Sequence, residues 1–274
     1  MPALADADLP VARLRPIGKE VSVGDLWSIA REQLLALFWA VEGAEVLSRE
    51  NALLGISGGP SADFNMCLVD DSPNVEELVA ESIHRLDARR VPGVFMVSSK
   101  AADKLGGRIA AMGLAEAGEA PMMVFAGQTS RPSAAYEVTQ VDNAIDLDVV
   151  ADLVASAFGL DRAWVGRTFA SPALLAGSGA VQYFVAKAAG RPMSTVTTTG
   201  AGSVIGIWSM ATPPELQRRG AGKAALVGAI EQKQASGAEL FYLIATPAGK
   251  PLYDAIGFET VETFPLFVFG SPTH

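Results

Sequence analysis

The sequence predicts an α/β protein built from two similar halves, each a mixed sheet with helices on its faces. Two observations predict this class: a repeated segment, and the alternation of strand-like and helix-like stretches along the chain. The chain has 274 residues, of which 50% are hydrophobic and 19% are charged, so it is long enough to bury a full core.

The repeated segment is found at residues 111–125 (AMGLAEAGEAPMMVF) and 255–269 (AIGFETVETFPLFVF), which align without a gap. Five positions are identical, among them a glycine, a proline and a Val-Phe pair. A short apolar run precedes each copy, at 94–99 and 241–246, and is typical of a buried strand. We interpret the two segments as copies of one strand–helix–glycine–strand unit. The alternative is a chance likeness between two helices that end at a glycine.

The two copies predict two domains. Residues 127–135 (GQTSRPSAA) combine turn-forming and small polar residues between apolar strands, which is typical of a joint. We therefore expect one domain over 1–130 and a second over 131–274.

The elements of the second half follow from hydrophobic periodicity and from turn residues. A hairpin is predicted where two alternating runs meet at Gly190. The predicted elements are a strand at 136–141, a helix at 147–158 with Asp146 or Asp148 near its start, a helix at 161–169, hairpin strands at 181–190 and 191–199, a strand at 203–212, a helix at 222–235, a strand at 241–246, a helix ending at Ala255 and a strand around 265–269.

The first half has a similar outline, and together the two halves give the order expected of a mixed sheet covered by helices. Its predicted elements are a long helix or helix pair at 25–47, a strand at 65–69, a helix at 75–90 and a strand at 94–98.

Composition excludes several function classes. The formal net charge of −9 disfavours nucleic-acid binding, which needs a clustered basic surface. With one cysteine, Cys67, and two histidines, His84 and His274, the chain has neither an internal disulfide nor the ligands of a zinc site, so we expect no metal. Cys67 is expected to be a small buried hydrophobe and His84 a helix-surface residue.

The same sequence predicts a protein with no membrane partner. No apolar run approaches the ~18 residues of a spanning helix. The first residues lack the basic flank and apolar run of a secretory signal, so we expect a cytoplasmic protein.

The segment 217–223 (QRRGAGK) lies directly between a predicted strand and a predicted helix. Its two glycines let the backbone turn tightly and let an anion approach, and the first N–H groups of the following helix favour phosphate. Arg218, Arg219 and Lys223 add positive charge there. The alternative is a plain turn that caps a helix. The spacing matches neither a Walker loop nor a dinucleotide fingerprint.

Together with the run 251–258 (PLYDAIGF), this loop resembles the GNAT acyltransferase superfamily. That family has a Q/R-x-x-G-x-G/A loop after its fourth strand and a Leu-Tyr-x-x-x-Gly-Phe helix end after its fifth. The resemblance implies a tandem arrangement of two GNAT-like domains, each a mixed, mostly antiparallel sheet flanked by helices. It implies an intact C-terminal copy and a degenerate N-terminal copy.

The resemblance also implies site residues, with acetyl-CoA as the co-substrate. The loop would hold the pyrophosphate through its backbone amides, and the preceding strand end would pair with the pantetheine arm. Tyr253 either protonates the departing thiolate or packs its ring at the helix end, and the Met210 amide would bind the thioester carbonyl. The implied cofactor-binding residues are Met210, Ala211, Thr212, Arg218, Arg219, Gly220, Ala221, Gly222 and Lys223.

Two positions depart from the family pattern. Thr246 stands where relatives often have Asn. The strand 203–212 carries no Glu, Asp or His to act as a general base, although Ser209 could orient a water. Because an amine need only be deprotonated before it attacks, water can suffice, and the base stays unassigned.

The first half differs at the corresponding place, 69–77 (VDDSPNVEE). It has no glycine pair, and its four carboxylates would repel a pyrophosphate while capping the helix. Asp70 and Asp71 are read either as part of a solvated capping cluster or as a catalytic or metal pair. We expect this copy not to bind coenzyme A and either to shape the acceptor site or to brace the second domain.

Four aromatic residues are further candidates. Trp27 and Trp39 lie in an apolar helical stretch and are expected to be packing residues rather than a ligand cage. Trp164 and Phe169 fall in the region where GNAT relatives bind their acceptors, so they line that pocket or belong to the core.

The predicted function is an N-acetyltransferase that transfers an acetyl group from acetyl-CoA to a primary amine by direct attack. The acceptor is a small amine, an antibiotic, or a peptide amine such as a protein N-terminus or lysine. Two alternatives stay open: a non-catalytic acyl-CoA sensor, and a tandem acyltransferase acting on a thiol or amino-sugar metabolite. An exposed sheet edge could also form a homodimer.

Overall fold

All strands of the described chain form one continuous sheet. The structure is a computed structural model and describes residues 21–129, 134–176 and 179–270. The strands are β1 (Glu45–Arg49), β2 (Ala52–Ile56), β3 (Asn65–Val69), β4 (Gly93–Val97), β5 (Leu114–Phe125), β6 (Glu137–Gln140), β7 (Val181–Ala188), β8 (Arg191–Thr199), β9 (Val204–Ala211), β10 (Leu240–Ile244) and β11 (Glu259–Phe269).

Helices cover both faces of this sheet. They are α1 (Val23–Trp39), α2 (Val75–Arg89), α3 (Ser99–Leu105), α4 (Arg108–Ala111), α5 (Ala144–Phe158), α6 (Arg162–Arg167), α7 (Pro172–Ala176), α8 (Ala221–Ala235) and α9 (Lys250–Asp254), with 3₁₀ turns at Ala62–Phe64 and Pro214–Leu216.

The strand order is β1-β2-β3-β4-β11-β5-β10-β9-β8-β7-β6. Only β3–β4 and β9–β10 pair in parallel, while the other neighbours are antiparallel. The predicted class, a mixed and mostly antiparallel sheet flanked by helices, is confirmed. In the part of the chain that the structure covers, no helix combines the length and the apolarity needed to cross a bilayer.

The last strand of each half lies in the other half's part of the sheet. β11, from the end of the chain, pairs with β4 of the first half, whereas β5 of the first half pairs with β10 of the second. β5 and β11 also pair with each other along most of their length. Neither half therefore completes its sheet with its own strands.

The register of β5 against β11 supports the internal repeat. Ala115 corresponds to Glu259 in the aligned segments, and Val124 corresponds to Val268. Val124 pairs with Glu259, and Val268 pairs with Ala115. The pairing between β5 and β11 therefore keeps the same register when the two copies are exchanged, as an approximate two-fold axis between them requires. The glycine that precedes each strand is left-handed in both copies, with φ of 84° at Gly113 and 106° at Gly257.

Most predicted elements are confirmed within three residues, but the first helix is shorter than predicted and the last strand is longer, beginning at Glu259 instead of around 265. The first helix ends at Trp39, not in the region of residue 47, because the chain turns at Gly43 (φ 75°) and then enters β1. α5 begins at Ala144, and its cap is the side chain of Asn143, which accepts from the Asp146 amide at 2.9 Å. Of the predicted joint 127–135, residues 130–133 lie outside the described residues.

Gln33 of α1 forms hydrogen bonds with three strands of the second half. The Gln33 amide donates to the Val204 carbonyl at 3.0 Å, and its oxygen accepts from the Thr199 hydroxyl (2.7 Å) and the Tyr242 hydroxyl (2.9 Å). The Gly206 amide donates to the same oxygen at 3.2 Å. A side chain on Gly206 would lie 2.8 Å from this oxygen, so the glycine is what allows the close approach.

Tyr183 on β7 leads to a stability prediction. Its ring is fully buried, and its hydroxyl has no hydrogen-bond partner among the described residues. Burial raises the pKa of this phenol, so the group stays neutral and unpaired in the core. We expect Tyr183→Phe to stabilise the chain by about 1 kcal/mol, since a buried hydroxyl without a partner is costly.

Thermal unfolding measures this effect as a rise of about 2 °C in Tm. Tyr242→Phe is the matched control because it removes an equally buried hydroxyl that does have a partner, Gln33. It should lower stability by about 1 kcal/mol. A loss of stability in both variants would contradict the argument.

Candidate functional site

The loop before α8 has an unusual backbone. Arg218 has a φ of 61° and Gly220 a φ of 86°, so two of three consecutive residues are left-handed. Gly220 is the N-cap of α8 and makes no side-chain capping bond. Alternating backbone of this kind turns successive N–H groups towards one side and forms a concave seat for an anion. The tight glycine turn that the sequence predicts before α8 is thus present.

The charges of this loop are free to meet a ligand. Arg218, Arg219 and Lys223 are exposed, and within the described ranges none of them forms an ion pair with a carboxylate. Arg219 is oriented by a bond from its guanidinium to the Glu215 carbonyl at 3.0 Å. The helix dipole adds further positive potential at this end of α8.

The underside of the loop is held by packing and by one phenol. Leu216 and Ala221 are buried in a small cluster with Met193. The Tyr136 hydroxyl, at the entry to β6, donates to the Arg219 carbonyl at 2.5 Å. The loop is therefore fixed before any ligand binds, which lowers the entropic cost of binding.

Gly222 is the point at which the predicted parts of the site meet. A Cβ built on this residue would lie 3.1 Å from Thr212 Oγ1, 3.6 Å from Leu252 Cδ2 and 3.7 Å from Met210 Cε. The loop thus abuts both the end of β9 and the helix α9 that carries Tyr253. Residues predicted from separate motifs lie together in the fold.

β9 bulges and leaves its neighbour just before this point. Thr195 pairs with Ala211 and Thr197 with Trp208, so two residues, Ser209 and Met210, stand opposite a single residue of β8. Ser209 has a φ of 44°, which is a strained value for a residue other than glycine. Pairing with β10 ends at Ile207, four residues before β9 itself ends. The far end of β9 therefore borders a cleft, and bulges often re-aim groups beside active sites.

The strand end is tied to β8 by hydroxyl groups. The Ser194 hydroxyl donates to the Ala211 carbonyl at 2.9 Å and lies 2.8 Å from Thr212 Oγ1. The Gln217 side chain donates to the Thr212 carbonyl at 3.0 Å. These bonds hold residues 210–212 in an extended shape beside the loop.

Tyr253 is buried, and its ring is packed. It lies edge-on to Phe258 with ring centres 5.8 Å apart, and a Cβ on Gly249 would lie 3.1 Å from its ring. Burial raises the pKa of this phenol to about 12. The group is consequently protonated at neutral pH and able to donate. The packing role considered from the sequence is present, and it does not exclude the acid role.

Thr246, which replaces the family's usual Asn, has a local structural role. Its hydroxyl accepts from the Gly249 amide at 3.1 Å and closes the turn before α9. The residue is exposed at the end of β10. The turn that orients Tyr253 is therefore stabilised without the asparagine.

In the first half, the two parallel strands at the corresponding place, β3 and β4, stay paired to the last residue of β3, Val69. Asp70 forms an ion pair with Arg31 of α1 at 3.5 Å, and Asp71 pairs with Lys104. The N-cap of α2 is Asn74, without a side-chain capping bond. The predicted solvated capping cluster is therefore wrong for Asp70 and Asp71, because cations of the first half neutralise both carboxylates.

We expect Asp70→Asn and Asp71→Asn each to leave the affinity for coenzyme A within about twofold of the unaltered chain, because these residues lie at the other half's helix start. Isothermal calorimetry measures the affinity directly. Asp71→Asn should cost less than about 1 kcal/mol of stability, since its ion pair is partly exposed. A large loss of affinity in both variants would place the coenzyme in the first half instead.

The four aromatic candidates have different environments in the structure. Trp27 is buried, lies edge-on to Phe264 and donates its indole N–H to Glu262 at 2.6 Å, so the packing role is confirmed. Trp39 is 74% exposed at the end of α1, and its predicted packing role is wrong. Phe169 stacks on Phe64 of the first half with ring centres 5.4 Å apart, and the Trp164 ring is tilted against Phe64 at 6.1 Å, so both residues pack on this ring.

The remaining sulfur and imidazole groups are placed as the sequence predicts. Cys67 is fully buried and close to the Ser82 hydroxyl (3.4 Å), and burial raises the pKa of its thiol to about 12. His84 is exposed on α2. His274 lies outside the described residues. Across residues 21–129, 134–176 and 179–270, no three His, Cys, Asp or Glu side chains gather in a way that could hold a metal ion.

Sequence reasoning missed Tyr136 and Ser194, which support the loop and the strand end. Neither carries a local signal, since an isolated Tyr or Ser in a strand has many possible partners. It also missed that α1 of the first half lies beside β9. A contact between segments so far apart in sequence leaves no mark in periodicity or spacing.

The chain has the fold of the GNAT N-acetyltransferases, and the resemblance predicted from the two motifs is confirmed at the level of the fold. It is similar to a GCN5-related N-acetyltransferase from Kribbella flavida, with a TM-score of 0.67 and 17% identity over 89% of this chain and 95% of that chain. It is also similar to a tandem GNAT protein from the clavulanic acid biosynthesis pathway (TM-score 0.54, 14% identity, 89% and 92% covered).

A third similar structure is a GCN5-related N-acetyltransferase from Sphaerobacter thermophilus (TM-score 0.55, 14% identity, 83% and 82% covered). Comparison of the sequence with protein-family models and with curated proteins finds no match. The likeness is thus one of architecture, and it extends over both halves of the chain.

Proposed function

We propose that this chain is an acyltransferase that transfers an acetyl group from acetyl-CoA to a primary amine. The observation that carries the proposal is the meeting at Gly222 of the phosphate-type loop, the end of β9 and the helix of Tyr253. A side chain at this position would fill the seat beside the loop. The uncapped start of α8 and three exposed cations fit a diphosphate there.

Each residue then has a defined part. Bound acetyl-CoA supplies a thioester, whose carbonyl carbon forms a bond to the amine nitrogen while its bond to sulfur breaks. The loop amides of Arg218–Lys223 hold the diphosphate, and the edge of β9 at 210–212 pairs with the pantetheine arm. The Met210 amide donates to the thioester oxygen, an effect worth about 3 kcal/mol when the donor is preorganised.

The protons are balanced by Tyr253 and by solvent. The incoming amine gives up its proton to water, since β9 offers no acidic or imidazole side chain to accept it. Tyr253, with its pKa raised to about 12 by burial, keeps its proton at neutral pH and donates it to the departing thiolate. Solvent then returns a proton to the phenolate.

A non-catalytic acyl-CoA sensor is the second candidate. The observation that favours it is the lack of an acid or histidine on β9, together with the close packing of the Tyr253 ring. Such a protein would bind the thioester through the same loop but would not release thiol. Binding and turnover must therefore be measured separately.

The proposal is tested first by thermal shift with acetyl-CoA and with S-acetylpantetheine, which lacks the diphosphate. At 100 times its Kd, acetyl-CoA should add about 2.7 kcal/mol of stability, whereas S-acetylpantetheine should add little. Thiol release in the presence of primary amines then distinguishes the enzyme from the sensor. Equal shifts from both compounds would contradict the assignment of the loop.

A further inference from the structure

A small apolar cavity lies between the two halves, on the face of the sheet that α1 covers. Its volume is about 30 Å³. α1 and β3 of the first half form one wall, and β9 with the segment after α6 forms the other. The side chains that matter here are Leu37, Phe38, Met66, Phe169, Trp208 and Ser209.

The cavity lies next to the place where the acyl group would end. Trp208 and Ser209 line it, and Met210 follows directly on the same strand. On the far side of Met210, Thr212 contacts the loop at Gly222. Residues 208–212 of an extended strand span about 13 Å, so the phosphate seat and the cavity lie at opposite ends of one short stretch.

The wall of the cavity offers almost no polar group. The Thr168 hydroxyl, which also lines it, donates to the Trp164 carbonyl at 2.7 Å. The Trp208 indole N–H donates to the Thr199 hydroxyl at 2.7 Å. Both donors are thus already used, the Ser209 hydroxyl is the remaining polar side-chain group, and no charged side chain is part of the lining. A charge placed here would have no counter-charge among these side chains, which is unfavourable.

We infer that the acceptor is a primary amine on an uncharged, unbranched alkyl chain whose apolar end fills this cavity between the halves. The inference rests on the proposed function and gives it a substrate class. The cavity of about 30 Å³ is far smaller than the roughly 150 Å³ of an apolar cavity that binds benzene, so it fits the end of an alkyl chain and not an aromatic ring. The first half, through α1 and Met66, then selects the acceptor for the second.

The net charge of −9 would by itself favour a diamine over a monoamine as the acceptor. An acidic protein attracts polycations and would raise their rate of encounter. In the cavity, the cost of burying a second ammonium group opposes that electrostatic attraction. Comparing pentylamine with 1,4-diaminobutane shows which effect is larger, because the two amines have similar length and differ mainly in that second charge.

The experiment measures thiol release by the full chain with acetyl-CoA, after calorimetry has established that the coenzyme binds. We expect kcat/KM for pentylamine to exceed that for 1,4-diaminobutane at least about tenfold, as expected when a charge must enter an apolar site. Leu37→Asp places a carboxylate in the wall and should reduce this preference about tenfold or reverse it. Leu35→Asp is the control, since Leu35 is a half-buried residue of the same helix that does not line the cavity.

A second, more conservative variant keeps the test usable if Leu37→Asp does not fold. Met66→Ala enlarges the cavity and should shift the preferred linear amine towards longer chains. The inference is overturned if 1,4-diaminobutane is the better acceptor, if neither variant changes the preference while both still bind coenzyme A, or if other primary amines release thiol and alkylamines do not. Failure of the unaltered chain to bind coenzyme A, or binding with no thiol release from any primary amine, would instead overturn the proposed function, and the inference with it.

Discussion

Gly220→Glu is expected to weaken coenzyme A binding at least about 100-fold, equivalent to about 2.7 kcal/mol. Gly220 is the left-handed N-cap of α8, with φ 86° and ψ 0°. A glutamate would introduce backbone strain and would bring a negative charge and bulk to the seat proposed for the diphosphate. Gly222→Glu should be at least as damaging, because its side chain would meet Thr212 and Met210.

The matched control stands at the other end of the same helix. Gly237 follows α8 with a φ of 96°, and a Cβ there has nothing within 4 Å. Gly237→Glu therefore has the backbone strain of the Gly220 variant without approaching the loop. Calorimetry should find its affinity nearly unchanged. If both variants lose affinity equally, the loss reflects folding and the loop is not the binding site.

Tyr253→Phe is expected to lower turnover about 100-fold while coenzyme A affinity stays within about twofold, which is the scale of general acid catalysis. Phenylalanine keeps the ring that lies against Phe258, so the core is preserved and only the proton donor is removed. Tyr183→Phe is the matched control, since it removes a buried phenol from β7. An unchanged rate in Tyr253→Phe would contradict the acid role.

The pH dependence gives a second measurement on the same residue. With its pKa raised to about 12, Tyr253 keeps its proton through the range in which alkylamines begin to lose theirs. The rate should therefore rise with pH and show no fall attributable to Tyr253 at or below pH 10. A descending limb centred near the ordinary tyrosine pKa of about 10 would mean that the phenol is solvated rather than buried.

The local parts of the site were predictable from sequence because they depend on residues close together in the chain. The loop at 217–223 and the turn at Gly257 require glycines and a helix start, which leave a visible pattern. The correction in the first half is not local in origin. The excess of carboxylates at 69–77 was evident, but not that Arg31 and Lys104 neutralise two of them.

The exchange of the last strands could not be predicted for a physical reason. β5 and β11 derive from segments that share five identical positions, so each has the pattern needed to pair in either place. Hydrophobic alternation determines which face of a strand is buried, but it does not determine which strand pairs with it. The bulge at Ser209 could not be predicted from the sequence either, since no glycine indicates its positive φ.

Because of that exchange, the second half depends on the first for strand pairing. A cut near residue 130 that removed the first half would take β5 from β10 and both neighbours, β4 and β5, from β11, leaving one edge of β10 and both edges of β11 unpaired and open to aggregation. Neither half can therefore keep all its strands paired without the other, whatever its own loops bind.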